Sequence, residues 1–335
     1  MKFQLHTDIK KPEQLFELPS SVFLIGSCFT ENIGQKLQAA KFSVCENPHG
    51  ILFNPASIVK AFQDYFEKKE YSSSDLFQLN EVWHSWNHHS RFSDIAAENA
   101  VQKINTSISH ATNFLKTANQ VVITLGSAWV YQLVDDSLGV AGTMVANNHK
   151  APAALFRKRL LQLDEVIAMF DQVLHRLFQL NKDCQVVFTV SPVRHLREGL
   201  VDNNRSKAVL LQAVHHLADK FNRVYYFPAY EIVVDELRDY RFYAEDLVHP
   251  NYQATQYVWE KLKLNCMSES TNELIAEIDE IKLAFQHRSF HPTTQQHQNF
   301  LKKYLDKTME LQAAFPTLHF ENEIAYFKAA LAESF

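Results

Sequence analysis

What most constrains this chain is the recurrence of short, wholly apolar runs separated by segments with helical spacing. VFLIGS (22–27), VVITLG (121–126), QVVFTVSPV (185–193) and RVYYFPAY (223–230) read as buried strands, and FSVCEN (42–47) is a fifth, alternating candidate. Between them, ENIGQKLQAA (31–40), ASIVKAFQDYFEKK (56–69), RKRLLQLDEVIAMFDQVLHRLFQL (157–180) and SKAVLLQAVHHLADKF (206–221) repeat apolar positions every three or four residues. The third places Leu160, Leu163, Ile167, Phe170, Val173 and Leu177 on one helical face. Strands without a polar face need cover on both sides, which implies a parallel sheet between two layers of helices. Ligands in such folds sit beyond the carboxyl ends of the strands. Residues that end an apolar run are therefore the first candidates for chemistry.

The pattern changes after about residue 266. TNELIAEIDEIKLAFQ (271–286), NFLKKYLDKTMELQAAF (299–315) and ENEIAYFKAALAESF (321–335) are helical, with a polar break at 287–298 and Pro316 between the last two. The expected organisation is a strand-and-helix domain over 1–266 and a helical extension over 267–335. That extension offers a packing layer, a lid or an arm for homo-oligomerisation.

Composition narrows the function classes. A net charge of −5 over 335 residues provides no concentrated basic surface for nucleic acid. No apolar run is long enough to span a bilayer, and MKFQLHTDIKKPEQLF lacks the apolar core of a secretory signal, so neither a membrane nor export is expected. The four cysteines (Cys28, Cys45, Cys184 and Cys266) are scattered without a CxxC pair, which fits a reducing, cytoplasmic setting.

Two segments carry the chemistry. The first run ends at Gly26-Ser27-Cys28, with a helical pattern immediately after. A hydroxyl or thiol there sits beside free backbone N–H groups and the positive end of the helix dipole, which favours a developing oxyanion. The alternative is that Ser27 merely caps the helix. The second segment is AEDLVHPNY (244–252), where Asp246 and His249 are three residues apart. That spacing lets one turn present both, with the carboxylate fixing the imidazole tautomer and the other ring nitrogen free to take a proton. The competing reading has Asp246 capping a helix that starts near Pro250. Nucleophile first and acid–base pair last is a serine hydrolase order.

At these residues the sequence resembles a known family. GSCFT (26–30) is similar to the G-S-C-F-A signature of the GSCFA domain family, a branch of the SGNH (GDSL-like) hydrolase superfamily. The resemblance continues through NPHGILFNP (47–55), TLGSAWVY (124–131), TVSPVRH (189–195) and YRFYAEDLVHPN (240–251), and covers about residues 1–265. It implies a flavodoxin-like three-layer α/β/α sandwich with a five-stranded parallel sheet, Ser27 as nucleophile, and Asp246 and His249 completing the triad. It also implies an oxyanion hole from the Ser27 N–H, Gly50 and an asparagine after the third strand. The chain departs from the superfamily there: Gly126-Ser127-Ala128-Trp129 stands in place of G-x-N-D. Ser127, the Trp129 indole N–H and Asn47 are the candidates for the missing donor. The same resemblance gives the nucleophile's role to the residue after glycine, leaving Cys28 as a small apolar filler.

Other constellations compete for a role. EVWHSWNHHSRF (81–92) holds His84 and His88 at helical i,i+4 spacing, a metal-ligand pattern without its glutamate, alongside His89. The simpler reading is a loop lining the cleft mouth, where Trp83, Trp86 and Trp129 either pack or offer flat faces to a sugar. His195 and Arg194 end the fourth run and face a polar substrate group or cap a loop, and Glu231 reads as a structural hydrogen-bond acceptor. The function expected is cleavage of an ester on a saccharide or small metabolite, plausibly an O-acetyl group, with no metal or organic cofactor. A non-catalytic binding module on the same fold and a metal-dependent hydrolase built on residues 84–89 are the rival classes.

Overall fold

The computed structural model describes residues 4–332; the expectations for residues 1–3 and 333–335 lie outside these. The first strand, β1 (Ser21–Gly26), turns directly into α1 (Cys28–Ala39), and β2 (Ser43–Glu46) follows. After α2 (Pro55–Glu67) come a small hairpin, β3 (Phe77–Leu79) and β4 (Val82–His84), and α3 (Ala97–Leu115). Next are β5 (Gln120–Leu125), β6 (Trp129–Leu133), β7 (Met144–Val145), β8 (Phe156–Leu160), α4 (Leu163–Leu180), β9 (Gln185–Val190) and α5 (Leu200–Lys220). The domain closes with β10 (Val224–Tyr226), α6 (Ala229–Glu231) running into a π-helical turn, and α7 (Tyr252–Cys266). Three further helices, α8 (Glu269–Gln286), α9 (Gln295–Ala314) and α10 (Glu321–Ala332), complete the chain.

The five apolar runs form one sheet in the order β10-β9-β5-β1-β2, every pair parallel. Numbered among themselves these strands run 2-1-3-4-5, the flavodoxin-like order. Side chains alternate across β1. Phe23 and Ile25 join a core with α2, α3, α4 and α5 on one face, whereas Val22 and Leu24 join a core with α1 and α7 on the other. All four are fully buried, which explains why the strand has no polar side. Truncating Phe23 to alanine costs ~3–5 kcal/mol by the usual cavity penalty.

Three expectations need correction. Residues 157–160 are not the start of a helix; Phe156–Leu160 pairs antiparallel with Trp129–Leu133 in a three-stranded sheet with β7. Leu160 opposes Trp129, and the Gln162 N–H donating to Glu165 (2.8 Å) starts α4 only afterwards. Trp129 thus begins its own strand instead of ending the third core strand. His84 ends β4, and no helix runs from it to His88, so the i,i+4 geometry is absent.

The C-terminal helices have a core of their own, including Ile278, Leu301, Leu311, Phe320 and Phe327. They dock near the amino ends of the sheet strands: Lys41, between α1 and β2, bonds Glu323 (2.6 Å) and the His319 carbonyl (2.7 Å), and the Leu18 N–H donates to Thr271 (3.0 Å). Ser27 lies at the opposite end, so this layer does not cover it. No described helix is long and apolar enough to cross a membrane.

Candidate active site

The turn at Gly26-Ser27 is forced by the sheet. Gly26 has φ +147° and pairs with Thr124; a Cβ there would lie 2.2 Å from the Thr124 carbonyl oxygen, so only glycine fits. Ser27 is the extended residue before α1, yet its side chain makes no cap hydrogen bond. Its Oγ is buried and bonded to no described residue, and Ser27 as a whole is 1% exposed. A buried hydroxyl normally finds a partner. This one neither caps the helix nor supports a neighbour, which removes the plainest structural explanation for it.

Asp246 and His249 meet as their spacing implies. Asp246 Oδ2 lies 2.7 Å from His249 Nδ1, and its Oδ1 accepts the N–H groups of Val248 (2.9 Å) and His249 (3.0 Å). Those backbone N–H bonds, with the imidazole contact, hold the Asp246 carboxyl down at about 2. Asp246 does not cap the next helix; Asn251 does, accepting from the Ala254 N–H at 3.1 Å. The loop is anchored to the segment after β9, where the Arg194 N–H donates to the Val248 carbonyl at 3.3 Å. His249 therefore belongs to the same, carboxyl, end of the sheet as Ser27. No hydrogen bond joins the two among the described residues, and about half of the His249 side chain is exposed.

The oxyanion donors divide sharply. The Gly50 N–H closes a tight turn onto the Asn47 carbonyl at 2.7 Å and is not open to a ligand. The Ser27 N–H makes only a long bond to the Thr124 carbonyl, 3.3 Å. Ser127 Oγ accepts the Trp129 N–H (3.1 Å) and contacts Ser206 Oγ (3.3 Å), while the Trp129 indole N–H donates to the Asp202 carbonyl at 3.2 Å. Asn47 is different. Its Oδ1 is fixed by the Gly26 N–H at 2.8 Å, which leaves its fully buried Nδ2 without a partner one residue from Ser27. The loop it stands on is braced from below: Tyr65 donates to His49 Nδ1 (2.7 Å), and His49 Nε2 bonds Asp64 (3.2 Å).

A cleft of about 590 Å³ is lined by residues that include His89, Ser127, Trp129, Tyr131 and His195, while Ser27, Asn47 and His249 are not among its described lining. His195 packs edge-on against Phe53 and keeps Nε2 buried and unpartnered; burial, with the charges of Lys207 and His249, pushes its pKa down to about 4. Arg194 is committed elsewhere, stacking over Tyr243 (4.8 Å) and donating to the Tyr240 hydroxyl (3.3 Å). Glu231 accepts from the Tyr226 hydroxyl at 2.8 Å, the structural role expected of it. Cys28 is half-buried among the apolar residues behind α1, and burial raises its thiol pKa, away from a reactive thiolate.

The histidines of 84–89 point to separate neighbours. His84 bonds Ser93 (2.7 Å), and His88 bonds Ser85 (2.9 Å) while stacking on His49 at 4.2 Å. His89 Nδ1 accepts the Arg91 N–H at 3.3 Å. No group of three metal-ligating side chains exists among the described residues. Trp86 is buried, stacked on Phe77 at 3.7 Å. Of the tryptophans considered as sugar platforms, Trp129 is the one that lines the cleft, with Lys158 over its ring at 4.3 Å.

One site residue escaped the sequence reading. Lys207, 1% exposed, donates to the carbonyls of Gly126 and Ser191, both at 2.6 Å, across the carboxyl ends of β5 and β9. Burial pulls its pKa down to about 7. The signal was present in the helix pattern: Lys207 shares the apolar face of α5 with Leu210, Val214 and Leu217.

A model of the GSCFA family matches residues 21–262, and one of the GSCFA domain protein C-terminal domain matches 278–333. No curated protein matches the chain in sequence. Among solved structures, a Streptococcus pneumonia protein named for platelet activating factor is similar at 11% identity and TM-score 0.38, over 73% of this chain and 82% of its own. An acetyl xylan esterase from the rumen bacterium Butyrivibrio proteoclasticus is similar at 9% identity and TM-score 0.33, over 83% of this chain and 66% of its own. The family models together span the sheet domain and the helical layer docked on it, and the chain belongs to the GSCFA family.

Proposed function

We propose that this protein is a serine ester hydrolase of SGNH type acting on an O-acyl group of a saccharide or small metabolite. The observation that carries this reading is the buried, unpartnered Ser27 Oγ at a strand–helix turn, at the same sheet end as a preformed Asp246–His249 pair. Ser27 attacks the acyl carbonyl and His249 takes its proton, while Asp246 fixes the imidazole with Nδ1–H toward the carboxylate. Asn47 Nδ2, with the loosely held Ser27 N–H, receives the oxyanion, taking the place of the asparagine missing after the third core strand. His249 then protonates the leaving alcohol, and water, activated by the same imidazole, releases the acid. The His249 loop closes onto Ser27 when an ester occupies the site, since catalytic hydrogen bonds in unliganded enzymes are often open. The N-terminus of α1 and the Asn47 amide are already in place, so only the base moves.

The test is a screen of p-nitrophenyl esters and acetylated sugars with wild type, Ser27→Ala and Cys28→Ala. Activity abolished in Ser27→Ala and retained in Cys28→Ala supports the reading. Full activity in Ser27→Ala, or chelator-sensitive activity restored by zinc, refutes it.

A further inference from the structure

The cleft past the carboxyl end of β5, lined by Ser127 and His195, has an electrostatic character that cleavage of an uncharged ester leaves unused. Its described lining includes two cations, Lys150 and Arg197, and neither an aspartate nor a glutamate. Both are exposed, and neither forms an ion pair with a described residue; Arg197 instead lies over the Tyr131 ring at 5.8 Å. Of the described acids nearby, Asp202 is paired with Arg205 (2.9 Å), and Asp246 with His249. Lys207, buried behind the cleft, is bonded to the Gly126 and Ser191 carbonyls and to no carboxylate among the described residues. A concave, low-dielectric wall lined by one sign of charge focuses its field on an opposite charge.

We infer that the cleft recognises an anionic ester: a pyranose that carries a carboxylate as well as the O-acyl group, with its ring against Trp129 and its carboxylate between Arg197 and Lys150. This rests on the hydrolase reading and narrows its substrate class. Arg197 suits the task because a guanidinium pairs with a carboxylate through two parallel N–H bonds. A neutral sugar gains nothing from either cation, so selectivity comes from charge and not from shape.

The experiment uses full-length Ser27→Ala protein, which binds without turnover, titrated with methyl β-D-glucuronide and methyl β-D-glucoside. The two probes differ only at C6. The glucuronide is expected to bind about tenfold more tightly, as two half-exposed ion pairs contributing a few-fold each would give. That preference should collapse in the Arg197→Gln/Lys150→Gln double variant, and in ~1 M salt, where the screening length falls to ~3 Å. Equal affinities, a glucoside preference, no saturable glucuronide binding, or a preference that survives the double variant would each overturn the inference. Both substituted side chains are exposed, so the fold is not at risk. A wild-type protein that cleaves no ester sinks the hydrolase reading, while the binding comparison still decides whether the cleft selects an anion.

Discussion

Ser27 and His249 sit at one end of one sheet in opposite environments. Ser27 and Asn47 form a floor that is almost wholly buried and fixed by backbone contacts: Gly26 against Thr124, and Asn47 Oδ1 on the Gly26 N–H. His249 and Asp246 ride on a loop about half exposed, held by hydrogen bonds made mostly within 244–251. The floor is buried and holds unpartnered polar atoms, whereas the loop is exposed and its polar atoms are paired. The difference teaches where each kind of precision is built. On the proposed reading, the groups that would meet the oxyanion are fixed by the sheet, and the imidazole takes its orientation from its own carboxylate.

Substitutions on the two sides sharpen this contrast. The largest effect is expected from Ser27→Ala, which should abolish ester turnover, a loss of at least ~10³-fold, with little change in melting temperature because the hydroxyl bonds nothing. On the loop, Asp246→Asn should lower kcat by ~10²–10⁴-fold while the fold persists, since the amide still accepts the Val248 and His249 N–H groups but no longer favours the productive tautomer. A near-normal rate in that variant would show that the pair is only a turn motif. Asn47→Ala is expected to cost ~10²-fold in kcat and, unlike the other two, ~1–3 kcal/mol of stability, because the Gly26 N–H loses its acceptor. Denaturant titration beside the rate assay separates these outcomes.

The last expected effect, on stability against pH and not on rate, lies under the floor. Burial holds the Lys207 pKa at about 7 in the fold, against 10.5 for an unperturbed lysine. The folded state thus disfavours the ammonium, and stability is lost as pH falls from above 10.5 through 7. Wild type should gain resistance to denaturant between pH 7 and pH 10, and Lys207→Met should show less of that gain. An equal gain in both proteins would mean that Lys207 titrates normally.

Legibility followed the physics of each element. The five core strands could be read because a parallel sheet covered on both faces leaves no polar side, and Phe23 and Leu24 are equally buried although they point opposite ways. The β8 segment, FRKRL, was not legible as a strand because its three consecutive cations, on a partly exposed antiparallel sheet, show no alternation. The Asp246–His249 contact followed from a three-residue spacing that needs no tertiary information. Choosing among Gly50, Ser127, Trp129 and Asn47 as donor was beyond the sequence, because each carries an N–H or hydroxyl and only the fold decides which is already used. Lys207 was hidden for the converse reason: a lysine is expected outside, and a helical repeat alone does not mark one as buried.

The pairing of the buried hydroxyl with the exposed imidazole is tested most directly by the rate at which a fluorophosphonate modifies the protein, with the adduct located by peptide mass. The account predicts a single adduct on Ser27 in wild type and a rate at least ~10³-fold lower in His249→Ala. Equal rates in the two proteins, an adduct on Cys28, or no adduct at all would contradict it.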